Sequence, residues 1–174
     1  MPVVKNAFPI LEYDTEKNAV IQPARSCGVL DDIPSGDVLI PVSALRGEGA
    51  SYHYLPPSRE IELDADMVSV LKSALTENAV PFTECKTWTT DAFYRETPEM
   101  ITYRKSEGCN VVEMECATIA AVARFRGAKF AQLLYSGDIL FDLERYDERD
   151  FSSNSSAREK LFLLSLEAAS RLGN

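Results

Sequence analysis

The run Val111-Val112-Glu113-Met114-Glu115-Cys116-Ala117-Thr118 constrains this chain more than any other segment. An apolar strand ends in two carboxylates, and a helix of small residues follows with no spacer. Carboxylates at the end of a strand entering a core need partners, because an unpaired buried charge is very costly. One reading pairs them with an arginine; the other aims them at the hydroxyls of a sugar. In open α/β sheets, ligands sit beyond the carboxyl ends of the strands, where this run places its acids. If both residues keep strand geometry, they share one face of the sheet. If a helix begins at Glu115, that carboxylate sits at a positive helix N-terminus, which favours its ionised form.

The rest of the second half alternates in the same way. Asp64–Asn78 predicts a helix, with Asp64 as cap and Met67, Val68, Leu71 and Leu75 at helical spacing. Pro81–Thr90 predicts a strand. Thr97–Glu107 predicts a helix capped by Thr97, with Pro98 in its first turn and Gly108 as its stop. Val111–Met114 is a strand, Glu115–Arg126 a helix, Lys129–Tyr135 a strand and Ser155–Leu172 the closing helix. Such alternation implies an α/β sheet with a mostly parallel core. The first half is thinner. The stretch through Pro23 reads as irregular, with an extended piece at Ala19–Ile21, and Ser26-Cys27-Gly28 reads as a strand-to-loop junction. Asp37–Val42 reads as a buried strand whose Pro41 marks an edge or bulge. Arg46–Pro57 reads as an aromatic-rich loop containing Tyr52, His53 and Tyr54.

Composition excludes several classes. The 174 residues suffice for one domain, and 45% hydrophobic with 26% charged residues is ordinary for a globular protein. A net charge of −9 argues against nucleic acid as a partner. No apolar run approaches the ~20 residues needed to span a bilayer, and the N-terminus lacks the apolar core of a secretory signal. The cysteines Cys27, Cys85, Cys109 and Cys116 form no Cys-x-x-Cys pair, and His53 is the one histidine. A metal site is therefore not expected, and reduced thiols fit a cytoplasmic protein.

Three further groups could carry chemistry. Asp138 follows the apolar run Phe130–Tyr135, with Gly137 beside it to let a ligand approach the backbone. A turn cap is the alternative role for that acid. Thr89-Thr90-Asp91-Ala92-Phe93-Tyr94-Arg95 combines hydroxyls, aromatics and a guanidinium suited to a flat heterocycle, although aromatics at a strand end also serve as plain core. Ser26 beside Gly28 can help hold an anion, and small Ser-Gly turns also occur without ligands.

Together and in this order, these groups resemble the nucleoside phosphorylase family, which includes purine nucleoside phosphorylase, uridine phosphorylase and related nucleosidases. Glu113-Met114-Glu115 is similar to that family's ribose-binding Met-Glu motif. Tyr135-Ser136-Gly137-Asp138 is similar to its Ser-Asp motif, with Gly137 in the serine's place. Ser26-Cys27-Gly28 resembles its Ser/Thr-x-Gly phosphate turn, and Thr90-Asp91-Ala92-Phe93-Tyr94 its base-side strand end. The resemblance implies a three-layer α/β/α sandwich and a pentosyltransferase that cleaves the N-glycosidic bond of a purine or pyrimidine nucleoside with phosphate. It implies ribose binding by Glu115, Met114 and Glu113, and a general-acid role for Asp138. It places the base against Thr90, Phe93, Tyr94 and Arg95, and phosphate at Ser26, Arg25 and Gly28. It implies phosphate as co-substrate, no cofactor and no metal, a homo-oligomer in the cytoplasm, and neither nucleic acid nor membrane as partner.

The resemblance runs from about Ser26 to the C-terminus, so residues 1–25 form an arm and 26–174 the core of a single domain. Family members carry a Gly-rich phosphate loop, a phosphate-binding arginine and the first strands of the sheet before the Ser/Thr-x-Gly turn. Here Leu11–Pro23 resembles the start of such a protein joined directly to Ser26, with Arg25 at the join. The N-terminal part of the sheet is thus expected to be missing, with open edges unless they are covered. Losing phosphate donors at ~3 kcal/mol each would slow catalysis by orders of magnitude. Two alternatives follow: a non-catalytic truncated paralogue that binds nucleoside or nucleobase, and a nucleosidase using water.

Overall fold

The computed structural model describes residues 12–14, 19–140 and 155–170. Parts of the arm, 1–11 and 15–18, and the last two residues of the closing helix as read from sequence lie outside the described residues. Seven strands and four α-helices follow one another: β1 (Glu12–Asp14), β2 (Ala19–Val29), β3 (Val38–Gly47), β4 (Glu60–Glu62), α1 (Ala65–Glu77), β5 (Phe82–Thr90), α2 (Pro98–Ser106), β6 (Val111–Glu113), α3 (Cys116–Phe125), β7 (Lys129–Ile139) and α4 (Ser155–Ser170).

The strands form one mixed sheet that curls on itself. β2 pairs with β6, β6 with β5, β5 with β3, β3 with β7, and β7 with β2 again. The β2·β7, β3·β5 and β5·β6 pairs are parallel; β2·β6 and β3·β7 are antiparallel. The core is therefore less parallel than the alternation of elements implies. Closure also answers the open-edge expectation, because a ring satisfies the backbone groups that an edge strand exposes. Only the three-residue strands β1, on β2, and β4, on β3, lie outside the ring among the described residues.

Alternation along each strand sorts side chains between the ring and the helices. Cys27 and Val29 of β2, Leu39 of β3, Cys85 of β5, Val111 of β6 and Leu134 of β7 form one buried cluster, a contribution from every strand of the ring. A larger cluster joins the outer face to α1, α3 and α4 through Ile21, Ile40, Leu71, Leu75, Ala117, Ala121, Phe130, Leu133 and Leu161. A third seats α2 on β5 and β6 through Ile101, Trp88 and Val112, with Met100 and Leu140 at its rim. These layers are the α/β arrangement that the family resemblance implies.

Several boundaries move. β2 extends from Ala19 to Val29, so Ser26-Cys27-Gly28 lies within a strand and not at a strand-to-loop junction. Ser26 and Cys27 pair with Tyr135 and Ser136 of β7 and Gly28 with Val112 of β6, which explains the correction: these pairings hold the segment extended. β3 runs on to Gly47 through a register shift between Pro41 and Ser43, so Pro41 marks a bulge and not an end. β7 runs through Ser136-Gly137-Asp138 to Ile139. Asp64 occupies the N-cap of α1 without a side-chain cap bond; its carboxylate instead accepts from Phe130 N at 2.8 Å and ties α1 to β7. Thr97 does cap α2, accepting from Met100 N at 3.4 Å.

Candidate functional site

β6 ends at Glu113, and its carboxylate is enclosed by donors. Oε1 accepts from Thr89 Oγ1 at 2.6 Å and Thr87 Oγ1 at 3.2 Å. Oε2 accepts from the backbone N–H groups of Glu115 at 2.8 Å and Cys116 at 2.7 Å. Thr89 Oγ1 in turn accepts from Ala117 N at 2.9 Å. The first N–H groups of a helix lack intrahelical partners, and here Glu113 and Thr89 supply them. Burial pushes the Glu113 carboxyl up to about 7, against the opposing pull of the Thr89 and backbone hydrogen bonds. Neither acid of the pair forms an ion pair among the described residues.

Glu113 and Glu115 therefore do not share a face. Glu113 is 5% exposed and faces inward, whereas Glu115 is the half-buried N-cap of α3 and makes no side-chain cap bond. Met114 between them is 44% exposed. Glu113, expected beside sugar or base, instead fixes the backbone from which Met114 and Glu115 project.

β2 passes the same strand end from the opposite direction. The antiparallel register pairs Gly28 with Val112 and Val29 with Val111, so Arg25–Cys27 of β2 precede the residues that pair with the end of β6. Arg25 and Ser26 are half-buried. On the other side of β2, a Cβ added to Gly137 would lie 3.2 Å from Cys27 O and 3.4 Å from Ser26 Cβ, so β7 and β2 approach closely at this glycine and a side chain there would require a shift of a few tenths of an ångström. Asp138 thus follows directly from the contact with Ser26–Cys27. Gly28 is enclosed differently: a Cβ there would meet Leu140 Cδ1 at 2.5 Å and Val112 Cγ1 at 3.0 Å. Side chains rather than open space surround it.

After β5, Thr90 is buried and its hydroxyl accepts from Ala92 N at 3.2 Å. The following 3-10 turn, Phe93–Arg95, is exposed, with the Phe93 and Tyr94 rings 3.9 Å apart. Asp91 accepts from Gly49 N at 3.1 Å and so joins this turn to the end of β3. There Arg46, 2% exposed, donates to Ser51 Oγ (2.9 Å), Pro56 O (2.8 Å) and Ser58 Oγ (2.8 Å), and lies 4.1 Å over the Tyr52 ring. Glu48 accepts from Ser51 N at 2.9 Å and Thr118 Oγ1 at 2.8 Å, tying the loop to α3. His53 is exposed on this loop.

The structure thus places Met114 and Glu115 directly after β6, Arg25 and Ser26 on β2, which pairs with β6, and Asp138 on β7, which pairs with β2, and leaves Phe93, Tyr94 and Arg95 on an exposed turn. Sequence reading missed Thr87, bonded to Glu113 of β6, and Glu48, bonded to Ser51 and to Thr118 of α3; it named Thr89 only as part of a group suited to a heterocycle, and it passed over Glu96. Glu96 is the single residue of 91–99 that is not exposed. Burial first and the charge of Asp138 second push its carboxyl up to about 7. Among the described residues no cluster of His, Cys, Asp and Glu is arranged to hold a metal, and no helix is long and apolar enough to cross a membrane. A surface groove on α1, lined by Ser69, Lys72 and Thr76 and reaching Phe82, lies at the start of β5, away from these strand ends.

Comparison with known proteins matches this geometry to a family. The model of the phosphorylase superfamily matches residues 25–168. A guanosine phosphorylase from Halorubrum lacusprofundi is 30% identical over 105 residues, 60% of this chain and 44% of that protein. Among solved structures, a purine nucleoside phosphorylase from Toxoplasma gondii in complex with immucillin-H has a TM-score of 0.75 at 21% identity, over 89% of this chain and 64% of that one. A uridine phosphorylase from Vibrio fischeri gives 0.74 at 22%, over 88% and 64%. An AMP nucleosidase from Bacteroides thetaiotaomicron gives 0.72 at 24%, over 89% and 60%. This chain therefore spans between 44% and 64% of the length of these relatives.

Proposed function

We propose, from the premise that the chain belongs to the phosphorylase superfamily, that it binds a purine nucleoside at the ends of β5 and β6 and transfers the pentosyl group from base to phosphate. The observation that carries this reading is the Glu113 clamp. It fixes the start of α3 so that Glu115 projects with no side-chain partner among the described residues, beside exposed Met114.

In this reading Glu115 accepts hydrogen bonds from the ribose hydroxyls and Met114 packs under the sugar. Cleavage proceeds through an oxocarbenium-like state at C1′. The C–N bond breaks as a phosphate oxygen bonds to C1′, and the bonding pair leaves with the base. Asp138 donates a proton or hydrogen bond to that departing base, which suits a purine. Thr90, Phe93, Tyr94 and Arg95 form the base side, and Arg25, Ser26 and Gly28 the phosphate side. Fixed placement of the acceptor for the sugar is a positioning contribution to the rate. The reaction needs no metal or cofactor besides phosphate as co-substrate, and the reading includes a cytoplasmic homo-oligomer. The guanosine phosphorylase likeness supports the purine choice.

A second reading, nucleoside binding without turnover, is favoured by β2. Ser26–Gly28 is paired strand, with Leu140 packed on Gly28, and not a loop of free N–H groups. Release of base from guanosine and from uridine, with and without phosphate, tests both. Phosphate-dependent release from guanosine supports the first reading. Release without phosphate favours water as the nucleophile. Calorimetric binding of guanosine with no release leaves the second, and neither binding nor release removes both.

A further inference from the structure

We propose that Glu48 is a positioning residue for Glu115: from the end of β3 it holds the first turn of α3 through Thr118, so that the Glu115 carboxylate meets the sugar at a fixed angle. The inference deepens the reading above and rests on its assignment of Glu115 to the ribose hydroxyls.

Three parallel strands end together at this point. Gly47 of β3 pairs with Thr90 of β5, and Thr89 of β5 pairs with Glu113 of β6. Glu48 follows Gly47 directly and is 6% exposed. The backbone that carries it is held, because Gly49 N donates to Asp91 Oδ2 at 3.1 Å. Glu48 Oε2 accepts from Ser51 N at 2.9 Å and from Thr118 Oγ1 at 2.8 Å. Thr118 is the third residue of α3 and is half-buried. It lies three positions after Glu115, and residues three apart are neighbours on a helix. The bond thus ties a residue 70 positions earlier in the chain to the turn that carries Glu115.

The two carboxylates on α3 hold different things. Glu113 accepts from the N–H groups of Glu115 and Cys116 and fixes where the helix begins. Glu48 grips a side chain of the same turn and fixes how that turn is rotated. An N-cap residue ordinarily spends its side chain on its own helix. Glu115 makes no such bond, because Glu113 partners the helix N–H groups in its place, and Glu115 is spared for a ligand. Stability alone would not favour Glu48 as the tie. Its Oε1 is buried with no hydrogen-bond partner among the described residues, and a half-satisfied buried carboxylate is costly. The gain is geometric: a small misplacement of a group that holds substrate lowers affinity and rate steeply.

The test compares the whole chain as wild type, Thr118→Val, which removes the hydroxyl and keeps the shape, and Thr118→Ser, which returns it. Amide hydrogen exchange read by NMR at Glu115 and Cys116 should speed up about fivefold in Thr118→Val and recover in Thr118→Ser, with Leu71 and Leu75 of α1 unchanged as the check on global stability. The guanosine Kd from calorimetry should rise about tenfold in Thr118→Val and return most of the way in Thr118→Ser. In a Glu115→Ala background, Thr118→Val should raise the Kd by less than about twofold more, because the residue it positions is gone. Unchanged exchange at both amides overturns the proposal. So does a tenfold loss of affinity that persists in full without Glu115. The exchange measurement needs no nucleoside. A wild type that binds no guanosine, with exchange that responds to Thr118→Val and recovers in Thr118→Ser, would therefore defeat the nucleoside reading and leave the tie from Glu48 to the Glu115 turn standing.

Discussion

The end of β6 and the middle of β2 lie side by side, and each carries residues proposed to hold one of the two substrates. They are built differently. At β6 a buried carboxylate gathers two hydroxyls and two helix N–H groups, and the next two residues emerge from that knot toward the open end of the strand. At β2 the segment Arg25–Cys27 pairs with β7 and Gly28 with β6, between two register shifts, with Leu140 packed on Gly28 and no comparable polar network around it among the described residues. A buried polar network is costly unless complete, so it marks a position where geometry is enforced. The side proposed to hold the sugar has such enforcement, and the side proposed to hold phosphate shows none among the described residues.

The largest effect that would break this contrast is at Glu113. Glu113→Ala leaves four donors without an acceptor in the core and should destabilise the chain by about 3–5 kcal/mol, read as a lower urea midpoint. Glu113→Gln should cost far less, about 1 kcal/mol. Its amide oxygen can keep the two N–H groups while its NH₂ donates to the Thr hydroxyls. Equal losses for the two variants would show that the knot is not what holds α3.

Next is Glu115→Ala, which removes an acceptor that has no side-chain partner among the described residues. Guanosine affinity or kcat/KM should fall by about a hundredfold, ~2.7 kcal/mol, while stability changes by only about 0.5 kcal/mol. Retained affinity would remove the sugar role. On the β2 side, Gly28→Ala forces Leu140 aside and should cost about 1–2 kcal/mol of stability, measured by the same denaturation.

The pH dependence of stability separates a hydrogen-bonded acid from an ion-paired one. Glu113 has its folded midpoint raised to about 7. The folded chain therefore binds more protons than the unfolded chain between the ordinary carboxylate range and 7, and this contribution to stability is lost as pH rises through that window. Glu107, held down to about 2 chiefly by its hydrogen bond from Arg59, with Arg104 adding to it, acts oppositely. Its contribution is present above the ordinary carboxylate range and fades as pH falls toward 2. Urea midpoints should therefore fall between pH 5 and pH 8, and this fall should be reduced in Glu113→Gln. The smallest effect is expected for Ser26→Ala: a stability change within about 0.5 kcal/mol, because the strand pairing does not use the hydroxyl. A large rise in the phosphate requirement with that variant would show that the phosphate side is better built than its packing suggests.

Local patterns settled a good deal before any contact was known. Thr97-Pro98 and Gly108 delimit α2 because capping and left-handed glycine are local chemistry; Gly108 has φ +84° and Gly127, after α3, φ +70°. The acid pair after Val112 was legible because a strand that ends in Glu-x-Glu is unusual. What that pair does was not legible. Glu113 and Glu115 look alike in sequence, and their difference arises from Thr87 and Thr89, which reach Glu113 from a neighbouring strand 24–26 residues away. Asp64 was read as a cap and is instead a tie to β7.

The sequence by itself determined α1 to α4 and the strands from β5 onward, because periodicity and capping act between near neighbours, and it pointed to the family through motifs that resemble it at Glu113-Met114-Glu115 and Gly137-Asp138. Tertiary structure alone decided that the sheet closes into a ring, that Ser26–Gly28 is strand, and that Glu113 clamps the start of α3. Each of these depends on which strand lies beside which. Pairing partners are chosen by burial and hydrogen bonding summed over the whole chain, and no single segment records that sum.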